Sequence, residues 1–379
     1  VALRRKAETP VDPDETVPPA LKIAAAYSWR ILIVLGVVAV LVFLVIQFRY
    51  IVIPFMVAIL LGALLVPFVN FLRRHRWPKW LAITVAMVGT LGIVSGLVVL
   101  VVLQVRAGYP DLQEKSILAF EDLKAWLLES PLHLTEADIN EYLGAAWEAI
   151  QRDSAALVSG ILSVGSTAGH VLAGALLALF ATLFVLIDGR GIWSWFVRLF
   201  PRRARVAVAG AGEAGWITLT TFVKVQIFVA FVDAVGIGVG AWILGLFYGG
   251  FPLVIPIAVA VFLGSFIPVV GALITGALAV FIALVYLGPI PAIIMLGIVL
   301  LVQQIEGHVL QPLVLGTAVK VHPLAVVFAV AAGGFTAGIA GALFAVPVIA
   351  VVNVMVKYIA AGTWHTHPHP TLKDVLPNA

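Results

Sequence analysis

Cysteine is missing from all 379 residues, which excludes disulfides, thiolate metal sites and a cysteine nucleophile and leaves the redox compartment unreadable. Charge is scarce as well. Asp, Glu, Lys and Arg make up 11% of the chain against 62% hydrophobic residues, and the mean hydropathy is +1.12. That balance excludes an ordinary soluble domain and marks an all-α polytopic membrane protein. The scarcity is greatest between Asp233 and Glu306, where the seventy-two residues from Ala234 to Ile305 hold no charged side chain. As one helix they would reach roughly 108 Å at about 1.5 Å per residue, against a hydrocarbon core of about 30 Å. The run must therefore fold back inside the bilayer. Walker A, HExxH and GxSxG sequences are also missing, so ATP-driven transport by this chain, zinc proteolysis and serine hydrolysis lack their usual signals. Nothing points to an enzyme, a cofactor or a bound metal.

What is present is punctuation. Gly249-Gly250-Phe251-Pro252, the stretch Gly264 to Gly271 and Gly288-Pro289-Ile290-Pro291 divide the charge-free run into a broken pair, Pro252 to Phe266 and Val270 to Leu287, and a full span from Pro289 to about His308. A second apolar run, Val321 to Val356, is interrupted by Gly333-Gly334, Gly338 and Gly341. Paired long apolar segments interrupted by helix breakers are the sequence picture of a transporter with discontinuous helices. About eight membrane segments result, two of them broken or re-entrant hairpins in the C-terminal half.

The chain divides into a polar lead-in (1–30), three transmembrane helices (31–105), an acidic module (106–168), a transmembrane helix with a basic, aromatic interfacial helix (169–218), a core carrying both broken hairpins (219–360) and a polar, His-rich tail (361–379). Residues 106–165 hold four Lys or Arg against ten Asp or Glu and read as amphipathic helices on the outer face, packed on membrane helices or a neighbouring subunit. Arg73, Arg74, Arg76 and Lys79, and later Arg198, Arg202, Arg203 and Arg205, mark the cytoplasmic side and put both termini there. The net charge of +4 is thus a matter of topology and implies no nucleic acid.

Two carboxylates stand out. A charge at mid-helix costs about 2.5 to 3.5 kcal/mol on insertion scales, so Asp233 needs a compensating role. Gln226, Gly236 and Gly240 share its face, which is polar, small and suited to close helix packing. The face fits an ion or proton site, or a plain interhelical hydrogen bond. Glu306 lies in a cluster with Gln303, Gln304, His308 and Gln311, where amides could hydrogen-bond a small polar solute and a desolvated carboxylate could exchange a proton. Its plainer alternative is the place where a helix leaves the bilayer. At Gly264 to Gly271, Pro268 lacks an N–H and the glycines permit an open turn; unpaired backbone at membrane depth survives only against protein or a wet cavity. Gly210-Ala211-Gly212-Glu213-Ala214-Gly215 matches a dinucleotide fingerprint, but a membrane span follows it and the match reads as coincidence. His365, His367 and His369 sit on a tail expected to be flexible, with no preformed metal cage.

The phrases FLGSFIPVVGA (Phe262–Ala272), VQQIEGHVLQP (Val302–Pro312) and LGTAVKVHPL (Leu315–Leu324), with YIVIPF at Tyr50–Phe55 and the Asp188-Gly189-Arg190 turn, resemble the AI-2E, or PerM-like, family of bacterial transporters over about residues 31–360. The resemblance implies an inner-membrane exporter whose named substrate is the quorum-sensing signal autoinducer-2. Other members look like sodium/proton antiporters. It also implies a homo-oligomer, with a pentamer as the expected form. By motif match Pro268, Gly271, Gln303, Glu306, Pro312 and Pro323 carry over as core positions, while Asp233 rests on physics alone. The leading expectation is a secondary carrier of a small polar solute coupled to H+ or Na+. An antiporter and a non-transporting scaffold are the alternatives.

Overall fold

The computed structural model describes residues 18–129, 164–267, 270–308 and 323–375, which form helices and turns with no strand among them. The chain divides into two units at Val52/Ile53. The first holds α1 (Pro19–Gln47), opened by a proline whose missing N–H no helix bond would have used, and the start of α2 (Arg49–Arg74). The second unit continues α2 and adds α3 (Lys79–Glu129), α4 (Val164–Arg198), α5 (Arg205–Phe247), α6 (Val254–Gly264), α7 (Val270–Leu287), α8 (Pro289–Ile305) and α9 (Pro323–Ala360). A 3-10 turn, Thr363–His365, and the short α10, Leu372–Val375, end it. Among the described residues seven helices are long and apolar enough to cross a membrane, and α6 and α7 are shorter apolar helices. The protein is an all-α polytopic membrane protein.

Two helix boundaries differ from expectation. The apolar part of α3 ends at Gln104, yet the helix runs on to Glu129, straight through Gly108 and Pro110, two residues that ordinarily weaken or end a helix. The first part of the acidic module is thus an extension of a membrane helix. Its Lys115 ammonium lies over the Tyr286 ring of α7, 4.8 Å from the centroid. Residues 130–163 of that module lie outside the described residues.

The basic, aromatic stretch expected as one interfacial helix is divided between two elements. α4 leaves helical geometry at Asp188 (φ −147°, ψ 43°), whose Oδ1 accepts the Gly191 N–H at 3.1 Å and so caps a fresh segment. Lys79 closes the segment before this kink, its Nζ donating to the Ile187 carbonyl at 2.6 Å. The Arg205 guanidinium closes the segment after it, donating to the carbonyls of Arg198 (2.8 Å) and Phe200 (3.0 Å). α5 then starts at Arg205, so Trp216 belongs to a membrane helix, and Gly210 to Gly215 lie within helix, where no phosphate-cradling loop exists.

α5 is the spine. Its 43 residues span about 65 Å at about 1.5 Å each, twice the hydrocarbon thickness of about 30 Å. Ala211 and Ala214 pack against the end of α9 and the tail, and Leu219 and Val223 against Ala63 of α2. From Ala234 to Leu244 the spine joins α6, α7 and α8 around Ile237, Ile257, Val261 and Met295. Lipid removes the hydrophobic drive between such helices, so close van der Waals approach has to hold them. Gly236 faces Val302 and Gly240 faces Ile298, the close packing that the small face of α5 predicts.

Candidate functional site

Both broken segments fold back. In the first, α6 and α7 are joined through Ser265, Phe266, Ile267 and the two residues beyond them, Pro268 and Val269, that lie outside the described residues. Gly264 and Gly271 form its neck: a Cβ on Gly271 would collide with the Gly264 carbonyl, so only glycine lets the arms come this close. The Ile267 N–H bonds the Gly264 carbonyl at 2.8 Å, and Thr275 Oγ1 donates to the Gly271 carbonyl at 2.8 Å. In the second, α9 departs from helix at Ala337 and Gly338, and Gly338 takes φ +63°, ψ −146°, a region that side chains bar. Gly333 and Gly341 then meet backbone to backbone. The hairpins touch, with Ile267 at the first tip packing with Val330, Ala342 and Val346 of the second and with Phe222 of the spine.

Beside that junction the first tip is tied to α5 by polar contacts at the depth of an apolar helix. Gln226 Nε2 donates to the Ser265 carbonyl at 2.6 Å, supplying a partner that the end of α6 cannot. Ser265 Oγ lies 3.1 Å from Asp233 Oδ2 and 2.8 Å from the Val261 carbonyl, so its one hydroxyl proton is shared between two acceptors. The Asp233 carboxyl is 1% exposed, and its Oδ1 is buried with no hydrogen-bond partner among the described residues. Buried polar atoms without partners are rare, and each calls for a physical explanation.

Glu306 caps α8, its N–H bonded to the carbonyls of Val302 and Gln303, and its carboxyl is near enough to Asp233 for the two to interact electrostatically. The structure thus brings Gln226, Asp233 and Ser265 into one hydrogen-bonded group, with the Glu306 charge within electrostatic reach of Asp233. Gly271 stands at the neck, Gln303 is half-buried beside Glu306, and Gln304 and His308 are exposed, with His308 Nδ1 3.3 Å from the Gln304 carbonyl. Pro323 opens α9. Pro268, Gln311 and Pro312 lie outside the described residues, as does most of the Leu315–Leu324 motif. A groove of about 880 Å³ runs between α5 and α8, lined by Gly236, Gly240, Ile298, Val302 and Ile305 among others. Its lining is apolar.

Ser265 is the residue that the motif reading passed over. A signal was available: it is the one serine between Asp233 and Glu306, and it stands inside the helix break. Among the described residues no group of three or more His, Asp or Glu side chains is arranged to hold a metal.

A family model described as AI-2E family transporter matches residues 31–361. A candidate transport protein of Mycobacterium tuberculosis, MT0215, is 39% identical over 362 residues, covering 96% of each chain. A second, YrrI of Bacillus subtilis, is 26% identical over 329 residues, covering 83% of this chain and 88% of its own.

Proposed function

The chain belongs to the AI-2E transporter family, and from that membership we propose a secondary carrier that exports a small polar solute of the autoinducer-2 class, driven by an ion gradient through alternating access. Membership supports membrane transport itself. The solute and the coupling are our reading, and the observation that carries it is the half-satisfied carboxyl of Asp233 against the Ser265 tip. Among the described residues Asp233 Oδ2 has a donor and Oδ1 has none, so a proton or Na+ reaching Oδ1 changes both the charge of the carboxyl and its hold on Ser265. Ser265 belongs to a re-entrant tip packed on the second hairpin, so a change in that hold acts on both mobile elements. Occupancy by an ion thereby biases which side the tips open to. Gln303 and Gln304, beside Glu306, supply amides for the solute.

In this reading the protein sits in a bacterial inner membrane, with both termini cytoplasmic and the acidic module outside. It works as a homo-oligomer, the pentamer being the expected form, which light scattering of detergent-solubilised protein would weigh. Efflux of autoinducer-2 from proteoliposomes, with and without an imposed pH gradient, tests the function. Gradient-dependent efflux that Asp233→Asn lowers about tenfold is expected. Equal flux from empty and protein-containing vesicles rejects the solute. The proximity of Asp233 and Glu306 favours one second reading, a sodium/proton antiporter, in which two interacting carboxyls exchange the ions with no organic solute. Sodium-triggered proton movement in solute-free vesicles would single it out.

A further inference from the structure

The dinucleotide-like Gly210 to Gly215 segment has another use. Each of its glycines makes room for a different neighbour. A Cβ on Gly212 would enter the Trp193 ring of α4, and one on Gly215 would press on Val351 and Met355 of α9. A Cβ on Gly210 would meet the Tyr358 hydroxyl and the Pro368 carbonyl. The third of these neighbours is the tail, which is docked and not loose. Gly362 reverses the chain at the end of α9 with φ +65°, and its N–H bonds the Ile359 carbonyl at 3.1 Å. The following residues then run back over the first turns of α5. Trp364 and Val375 pack on Ala211, Ala214 and Tyr358, and Pro370 is buried. The Tyr358 hydroxyl donates to the His367 carbonyl, and His369 Nδ1 lies 3.1 Å from Glu213 Oε2, the one charged residue of the glycine segment.

We propose that residues 362–375 are a strap, seated on the Gly210–Gly215 face, that clamps the end of α9 to the start of α5 and restrains the second hairpin. The geometry carries this in two steps. The strap joins two elements that also meet directly, at Gly215 with Val351 and Met355 and, further along, at Phe222 with Val330, Ala342 and Val346, the hairpin junction of the candidate site. A helix pinned at one end resists displacement at the other, so releasing the strap frees α9 to shift along the spine. The exposed His369–Glu213 pair adds little hold by itself; the ring of Trp364 and the fit over Gly210 supply most of it. That the restraint matters to a transport cycle rests on the carrier reading above. The restraint itself does not.

The test uses the full chain, whose lack of cysteine gives a clean background. Gly210→Ala leaves α5 a better helix while its methyl displaces Pro368 and Tyr358; Trp364→Ala removes the anchor from the other side. Hydrogen exchange of 362–375 reads the seat, and N-ethylmaleimide labelling of a Val346→Cys reporter, buried at the hairpin junction, reads the restraint. Both variants are expected to speed exchange in 362–375 and labelling at position 346 about fivefold or more, the size of a lost local closure. His369→Ala is expected to do so by less than twofold. Faster tail exchange with unchanged labelling would overturn the strap, and so would no change in either. Neither readout involves a solute, so a chain that moves no autoinducer-2 contradicts the carrier reading and leaves this outcome separately decided.

Discussion

At the scale of single residues, the polar groups at the first hairpin tip differ in whether they have partners among the described residues. Ser265→Ala takes the donor from Asp233 Oδ2 and leaves both oxygens without one among the described residues, which is expected to destabilise the protein by about 1 to 3 kcal/mol. A lower melting temperature together with weaker gradient dependence in vesicles is the expected result. Glycines separate by their surroundings. Gly271→Ala drives a methyl into the Gly264 carbonyl and is expected to cost about 1 to 3 kcal/mol, whereas Gly297→Ala in α8, with nothing within 4 Å, is expected to be neutral or to stabilise by up to about 1 kcal/mol. Thermal unfolding in detergent compares them. Outside the membrane, Asp374 is held below the usual carboxylate range by the N–H and hydroxyl of Thr371, both at 2.8 Å, with His367 nearby. A depressed folded value means the contribution is full above the unfolded value of about 3.9 and is lost as pH falls through the folded one. Hydrogen exchange of 371–375 should therefore quicken only on strong acidification, and Asp374→Asn should remove that pH dependence.

At the scale of elements, much of the C-terminal half was legible. Charge ran out over a length no single crossing could use, and the breaks at Gly264 to Gly271 and at Gly338 fell where glycine and proline interrupted the apolar runs. Gly236 and Gly240 announced the contact with α8, because small residues have few other reasons to repeat on one helix face in lipid. What could not be read was continuity and distance. Hydropathy falls where a helix leaves the bilayer, and Gly108 and Pro110 in α3 and Gly210, Gly212 and Gly215 in α5 read as breaks, so the extensions of α3 beyond Gln104 and of α5 before Leu219 could not be read. Ser265 and Asp233 are 32 residues apart, and only the fold-back brings them together. The tail was misjudged for a related reason: its polar composition hides Trp364 and Pro370, whose seat on α5 lies some 150 residues upstream. At Gly338, φ +63° with ψ −146° bars a side chain, so Gly338→Ala is expected to cost about 1 to 3 kcal/mol and to open the second hairpin. Faster labelling of Val346→Cys in that background checks it.

At the scale of the whole molecule, one long helix gathers everything that could move. The spine meets α2 at Leu219 and Val223, both hairpins between Phe222 and Asp233, α8 at Gly236 and Gly240, and the tail at Gly210. A scaffold would need none of the polar contacts at mid-depth, whereas a carrier needs a place where an ion can alter how a re-entrant tip is held. The most direct measurement is gradient-driven efflux of autoinducer-2 from vesicles containing the native chain or Asp233→Asn, each with matched insertion and melting temperature. The account predicts that efflux follows the pH gradient in the native chain and that in the variant it falls about tenfold and no longer follows it. Efflux from Asp233→Asn that matches the native chain in rate and in gradient dependence would contradict it.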